Sequence, residues 1–217
     1  MGWIAIQTIL GVSPWEVVLG NPGLMAYMLA GTMGAFGCFG WLLGREEERL
    51  SRLAMLDELT GLANNRLFGS RLDECLAASR RKNMPMSLLL MDMDRFKDIN
   101  DTHGHQAGDQ ALKTAAAVIR SCVRTSDIAA RIGGEEFAVI LPETSTREAE
   151  AVAGRVLNGL RKATVRLGGG ASVSLSASIG LSGGIAAKEE SAFALFAEAD
   201  KALYKAKTTG RDRLVSA

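Results

Sequence analysis

The chain of 217 residues has room for one ordinary domain and an appendage, and its 25 Lys and Arg against 24 Asp and Glu leave a formal net charge of +1. That balance offers no basic field for nucleic acid as the main partner. Cys38, Cys75 and Cys122 are odd in number and lack metal-ligand spacing, which argues against a disulfide framework and suits a reducing compartment for most of the chain.

Charge is unevenly spread. Residues 1–44 carry a single charged side chain, Glu16, and nearly all the rest follows Gly44. Residues 1–22 read as a short apolar segment outside the cytoplasm or at the interface, with Trp3 and Trp15 at headgroup depth; a poor first span is the alternative, because Pro14 and Glu16 interrupt it. Residues 23–44 form the expected transmembrane helix: the uncharged run from Gly23 to Leu43 rises about 32 Å at roughly 1.5 Å per residue, enough for a hydrocarbon core of about 30 Å. Arg45, Arg49 and Arg52 follow the span while no Lys or Arg precedes it, which predicts a single pass with the C-terminal part in the cytoplasm, at a bacterial inner membrane. Gly40 and Gly44, and the repeat Ala30, Gly34, Cys38, are spaced for close helix approach in lipid. Residues 45–56 read as a connecting helix, with Leu50, Leu53 and Leu56 recurring every three positions.

From residue 57 to 217 strand-like and helix-like patterns alternate, which predicts an α/β domain. Helices are expected over Arg66–Lys82, with Asn64 or Asn65 as cap, and over Ala107–Val123, Thr146–Lys162 and Ser191–Lys207. Strands are expected over Met86–Met93, Asp127–Ile132, Phe137–Leu141 and Ser172–Leu181, and Gly168-Gly169-Gly170 marks a loop.

Asp92 ends a continuous apolar strand, a poor place for packing and a good one at the rim of a sheet where ligands of α/β proteins gather. Glu135 lies in the turn between two short strands, after Gly133-Gly134, a pair able to take positive φ in a hairpin and to let a phosphate or base approach the backbone. Taken alone such a turn is a solvated hairpin tip. If the two strands neighbour the Asp92 strand, the carboxylates converge into a hard oxygen site for Mg²⁺ that could stabilise charge on a transferred phosphoryl group. Neither a Walker motif nor G-x-G-x-x-G is present.

These motifs resemble those of the GGDEF-type diguanylate cyclases, in the GGEEF form. Gly133-Gly134-Glu135-Glu136-Phe137 matches the signature, and Asp57 to Asn64 (DELTGLAN) is similar to the family's opening motif D-x-L-T-G-L-x-N. Asp92 to Lys97 (DMDRFK) resembles D-x-D-x-F-K, and Asn100-Asp101, Gly104-His105 and Gly108-Asp109 continue it. Ala199 to Tyr204, with Ala206-Lys207 and Gly210-Arg211-Asp212, looks like the closing motif. The resemblance covers about residues 50–215.

It implies a five-stranded central sheet flanked by helices, like class III nucleotide cyclases and polymerase palms, and condensation of two GTP into cyclic di-GMP between two facing copies. It implies that Asp92, the Met93 carbonyl and Glu135 hold Mg²⁺, or Mn²⁺ in its place, and that Asn100 and Asp109 read guanine. Phe96, through its amide, and Lys97 would contact phosphates, Gly133 and Gly134 would lie along the nucleotide, and Lys201 and Lys205 would sit near the triphosphate. Glu136 would help activate the 3′-hydroxyl or support the group that does, and Asp94 is expected in a structural hydrogen-bonding role. Arg124 to Asp127, an R-x-x-D ending shortly before Gly133, stands where the family has its product-inhibition site. Three positions depart from the pattern: Asn65 and Lys205 stand where Arg is usual, and His103 where an aromatic is usual. The rival is a catalytically silent domain that binds GTP or cyclic di-GMP; a broken signature would favour it, and Asp92, Glu135 and Glu136 are all present.

Overall fold

The computed structural model describes residues 22–53, 55–167, 172–185 and 191–217. The segment 1–21 and the Gly168-Gly169-Gly170 loop, both assigned from sequence, lie outside the described residues.

Two compact units divide the chain, Met1–Ala54 and Met55–Ala217. The first contains helix α1 (Pro22–Leu53), which runs without a break from the range read as span into the range read as connector. The connecting helix expected to residue 56 stops short of it, because Leu56 forms a β-bridge with Ala63 instead. Its stretch Met25–Leu42 is long and apolar enough to cross a membrane. The side chains Tyr27, Met33, Phe36 and Trp41 all point outward from it, and the Thr32 hydroxyl donates to the Met28 carbonyl at 2.7 Å, so this polar group is satisfied within the helix.

The second unit is a mixed sheet covered on both faces. Among the described residues its strands are β1 (Ala63–Asn64), β2 (Pro85–Met93), β3 (Ile128–Arg131), β4 (Glu136–Pro142), β7 (Ala177–Ile185) and β8 (Leu214–Ser216), in the order β1-β3-β4-β2-β7-β8. The resemblance led us to expect five strands. The sheet has six because very short ladders, β1 on β3 and β8 on β7, extend its two edges. A separate two-stranded sheet pairs β5 (Thr164–Arg166) with β6 (Ser172–Ser174).

β2 is the central strand, antiparallel to β4 on one side and to β7 on the other. Alternate side chains leave a strand on opposite faces, so a strand covered on both is apolar at most positions. Leu89, Met91 and Met93 join one core with α4 (His105–Cys122) and α5 (Thr146–Lys162). Met86, Leu88 and Leu90 join the other with α2 (Asn65–Lys82) and α6 (Ala192–Thr208). The helices start where side chains can cap them: Asn64 accepts from the Leu67 amide, Ser145 and Glu148 form a reciprocal capping box, and Ser191 accepts from the Ala194 amide.

At Gly180 in β7 the α6 backbone comes so near that an added Cβ would collide with the Ala199 carbonyl and the Leu203 amide. The strand expected over Ser172–Leu181 is split in two. Ser172–Ser174 pairs with β5 and Ala177 onward pairs with β2, and one straight strand cannot serve both ladders. A helix not foreseen from sequence, α3 (Phe96–His103), follows β2 after a left-handed Arg95 at φ 55°.

Candidate active site

The sheet brings its catalytic candidates to one end. Asp92 lies at the end of β2, opposite Glu136 on β4 and Ser178 on β7. It is only 8% exposed, and the Lys207 ammonium stands 2.7 Å from its Oδ2.

Three carbonyls of the signature loop that flanks Asp92 have donors. The Met93 amide donates to the Glu135 carbonyl at 3.2 Å, and the Ile132 amide to the Glu136 carbonyl at 2.9 Å. Arg131 donates through Nη2 to the Gly134 carbonyl at 2.7 Å. The loop is thus tied to the end of β2, which places Glu135 beside Asp92. Burial pushes the Glu135 carboxyl above the usual carboxylate range; Asp92 and Glu136 push it the same way, and the Lys207 ammonium pulls against them.

Neither Gly133 nor Gly134 takes positive φ, contrary to the expectation for this turn. The loop spans Ile132 to Glu135, longer than a two-residue hairpin, and has no need of the mirror-image turn. At Gly133 an added Cβ would meet the Glu136 carboxylate, so the absent side chain leaves the place that this exposed group occupies. Gly134 is open to solvent, with nothing within 4 Å of such an atom.

Asp94, next but one to Asp92, is structural. Its Oδ1 accepts from the Ser178 hydroxyl at 2.7 Å and its Oδ2 from the Asp212 amide at 2.9 Å. Phe96 is buried at the start of α3, and Lys97 beside it is exposed. Asn100 packs against Gly108 so closely that a side chain there would strike its amide and the Phe96 ring. Asn100 therefore lies against the turn of α4 that carries the exposed Asp109.

Lys201 and Lys205 do not join this group. They line a cavity of about 530 Å³ with Ser182, Gly183, Glu198 and Val215. Gly183 pairs with Ser87, near the other end of β2 from Asp92. The lysine at the carboxylates is Lys207, and helical geometry explains why. Ala199 and Leu203 are buried against the sheet, and Lys207 continues their spacing of four, whereas Lys201 and Lys205 lie on another face. That continuation was a signal available in the sequence.

Arg131 was also missed. Besides Gly134 it holds Asp57, at 3.1 Å from Nη1 to Oδ2. Asp57 accepts from the Thr60 amide at 2.8 Å and the Thr60 hydroxyl at 2.6 Å, closing the opening turn of the domain.

Arg124 and Asp127 form a turn of their own. The Arg124 amide donates to Asp127 Oδ2 at 2.8 Å, and the Asp127 amide to the Arg124 carbonyl at 3.1 Å. The turn lines a cavity of about 470 Å³ together with Gly61, Leu62 and Arg120.

Two hard oxygen donors at one rim fit a divalent cation such as Mg²⁺. Among the described residues no cluster of three His, Cys, Asp or Glu is assembled.

A mixed sheet with helices on both faces, and two acids beside a Gly-Gly loop at one rim, defines an α/β domain with a candidate cation site. Residues 54–213 match the family described as "Diguanylate cyclase, GGDEF domain", and the chain belongs to that family. It is 40% identical over 169 residues to Diguanylate cyclase A of Treponema denticola, covering 76% of this chain and 45% of that protein. It is 38% identical over 164 residues to the response regulator PleD of Caulobacter vibrioides, covering 75% and 36%. The chain thus spans less than half the length of these curated relatives. Among solved structures, the GGDEF domain of DgcB from Caulobacter crescentus, in complex with c-di-GMP, superposes with a TM-score of 0.72 at 31% identity, covering 75% of this chain and 92% of that one.

Proposed function

We propose that this chain is a diguanylate cyclase, converting two GTP into cyclic di-GMP and two pyrophosphates between two copies of its GGDEF domain. The observation that carries this reading is the convergence of Asp92 and Glu135 beside the Gly133–Glu136 loop, in a chain of this family. That a relative's GGDEF domain was solved with c-di-GMP suits the same ligand here, as product.

Each domain holds one GTP, and each 3′-hydroxyl attacks the α-phosphorus of the other nucleotide. The new O3′–P bond forms as the bond from that phosphorus to the bridging oxygen breaks, and pyrophosphate leaves twice. Asp92, Glu135 and the Met93 carbonyl would hold Mg²⁺, with Mn²⁺ as a substitute, and the ion would supply positive charge to offset that of the triphosphate and the attacking oxygen. The exposed Glu136, held over Gly133, receives the hydroxyl proton or orients the group that does. Asn100 and Asp109 read the guanine edge, where a carboxylate accepts from the N1 and N2 donors that adenine lacks. The Phe96 amide and Lys97 meet phosphate oxygens, and Gly133 and Gly134 let the nucleotide lie against the backbone. Most of the acceleration then comes from positioning and charge stabilisation.

Two further parts belong to this reading. The cavity beside Arg124 and Asp127 takes cyclic di-GMP as a feedback inhibitor, since an Arg fork pairs with phosphate or stacks on guanine. Helix α1 anchors the chain in the inner membrane through Met25–Leu42, with the GGDEF domain in the cytoplasm, and brings two copies together. The full-length chain in detergent, given GTP and Mg²⁺, should yield cyclic di-GMP by mass spectrometry. GTP bound but left unconverted would place the chain among silent nucleotide-binding domains.

A further inference from the structure

We propose that Lys207 is the resident counter-cation of the metal site, holding the carboxylate that a divalent ion needs. The inference rests on the reading of Asp92 and Glu135 as metal ligands. Lys207 Nζ stands 2.7 Å from Asp92 Oδ2, and the two side chains are 34% and 11% exposed. A divalent ion that takes Asp92 Oδ2 must push this ammonium aside, and one on Oδ1 binds against its charge. Metal alone therefore binds weakly, because it leaves a half-buried ammonium without the carboxylate that the structure pairs with it. Metal arriving with a polyphosphate brings its own replacement, since an anionic phosphate oxygen can take the displaced ammonium. The exchange makes loading ordered: nucleotide and metal enter together, and free metal is refused.

The ion pair is not required to fasten α6. That helix is already held by the close approach of Ala199 and Leu203 to Gly180, and by the buried Ser182 hydroxyl, which donates to the Leu195 carbonyl at 2.7 Å.

The test is Mn²⁺ titration of the full-length protein in detergent without nucleotide, with free Mn²⁺ read by electron paramagnetic resonance. Wild type, Lys207→Met and Lys207→Gln are compared, each with and without Asp92→Asn, and circular dichroism checks folding. An opposite charge this close typically shifts a site by a factor of about ten or more. Both Lys207 variants should bind Mn²⁺ at least about tenfold tighter than wild type, and Asp92→Asn should abolish the gain. With GTP present the advantage should shrink or reverse. Unchanged or weaker Mn²⁺ binding in both variants, with Asp92→Asn still weakening it, overturns the competition and spares the metal site. Mn²⁺ binding indifferent to Asp92→Asn in every background overturns the metal site and the proposal with it. If Lys207→Met misfolds, Lys207→Gln carries the comparison.

Discussion

Arg131 and Asp57, 74 positions apart, meet through one guanidinium nitrogen that stands 3.1 and 3.3 Å from the two carboxylate oxygens. The rest of the same fork reaches the Gly134 carbonyl, at 3.2 Å from Nε and 2.7 Å from Nη2. One side chain thereby fastens the opening turn of the domain to the loop that presents Glu135. Lys could supply the charge but not both contacts.

Burial pushes the Asp57 carboxyl up, but hydrogen bonds from Thr60 and the Arg131 charge outweigh it and hold it below the usual carboxylate range. A depressed carboxylate adds stability above its unfolded value and loses it as pH falls through the folded one. Asp57→Asn should cost about 1.5–3 kcal/mol at neutral pH, the range for a hydrogen bond to a charged group. The gap from wild type should close in acid, below the usual carboxylate range. Urea melts at several pH values check this, and a gap that stays constant into acid would refute it.

Glu135→Ala should abolish turnover, by at least about a hundredfold, while leaving the fold intact. Its side chain is only half-buried, whereas the carbonyl that Met93 uses is backbone and survives the change. Product analysis and circular dichroism on one preparation decide the matter. Retained activity would remove Glu135 from the site.

Gly133→Ala places a methyl group where the Glu136 carboxylate lies. Neither glycine of the loop needs positive φ, so the backbone tolerates the change and the damage falls on Glu136. The turnover number should drop about tenfold or more, as expected of a displaced catalytic group, with thermal stability nearly unchanged. A full-speed enzyme would show that Glu136 need not occupy that position.

Lys201→Ala and Lys205→Ala should keep turnover within about twofold of wild type, in the range of ordinary surface changes. Both side chains line the cavity near Gly183, away from Asp92. Steady-state kinetics with GTP is the measurement, and a rise in KM of tenfold or more for either variant would restore them to the triphosphate.

Arg124→Ala should relieve inhibition by added cyclic di-GMP without slowing the uninhibited reaction. The turn around Asp127 keeps its shape through backbone groups that the substitution leaves in place. An inhibition curve superimposable on that of wild type would reduce Arg124 to a surface residue.

Much of the fold was legible in the sequence because its signals are local. The continuous apolar run of β2 announced a strand covered on both faces, and α5 begins at the predicted Thr146, where Ser145 and Glu148 cap it, and ends at the predicted Lys162. α3 was not legible: of its eight residues only Phe96 is buried, which leaves no apolar period to read. β1 and β8 are too short to show a pattern, and they exist only because a neighbouring strand offers a ladder. Within the candidate site, the structure brings Asp92 and Glu135 together as the sequence suggests, whereas Lys201 and Lys205 line a separate cavity and Lys207 stands at Asp92. A motif gives residue order, whereas the face on which a lysine emerges follows from how α6 packs.

Gly180 shows how much depends on that packing. The α6 backbone lies directly over it, with no room for even one methyl group, and Lys207 reaches Asp92 from the last turns of the same helix. The reach of the ammonium is therefore gauged by a residue that carries no functional group. In a saturation library, position 180 should be among the least permissive in the domain. Any survivor there should betray a tilted α6 by altered metal demand before it loses the fold.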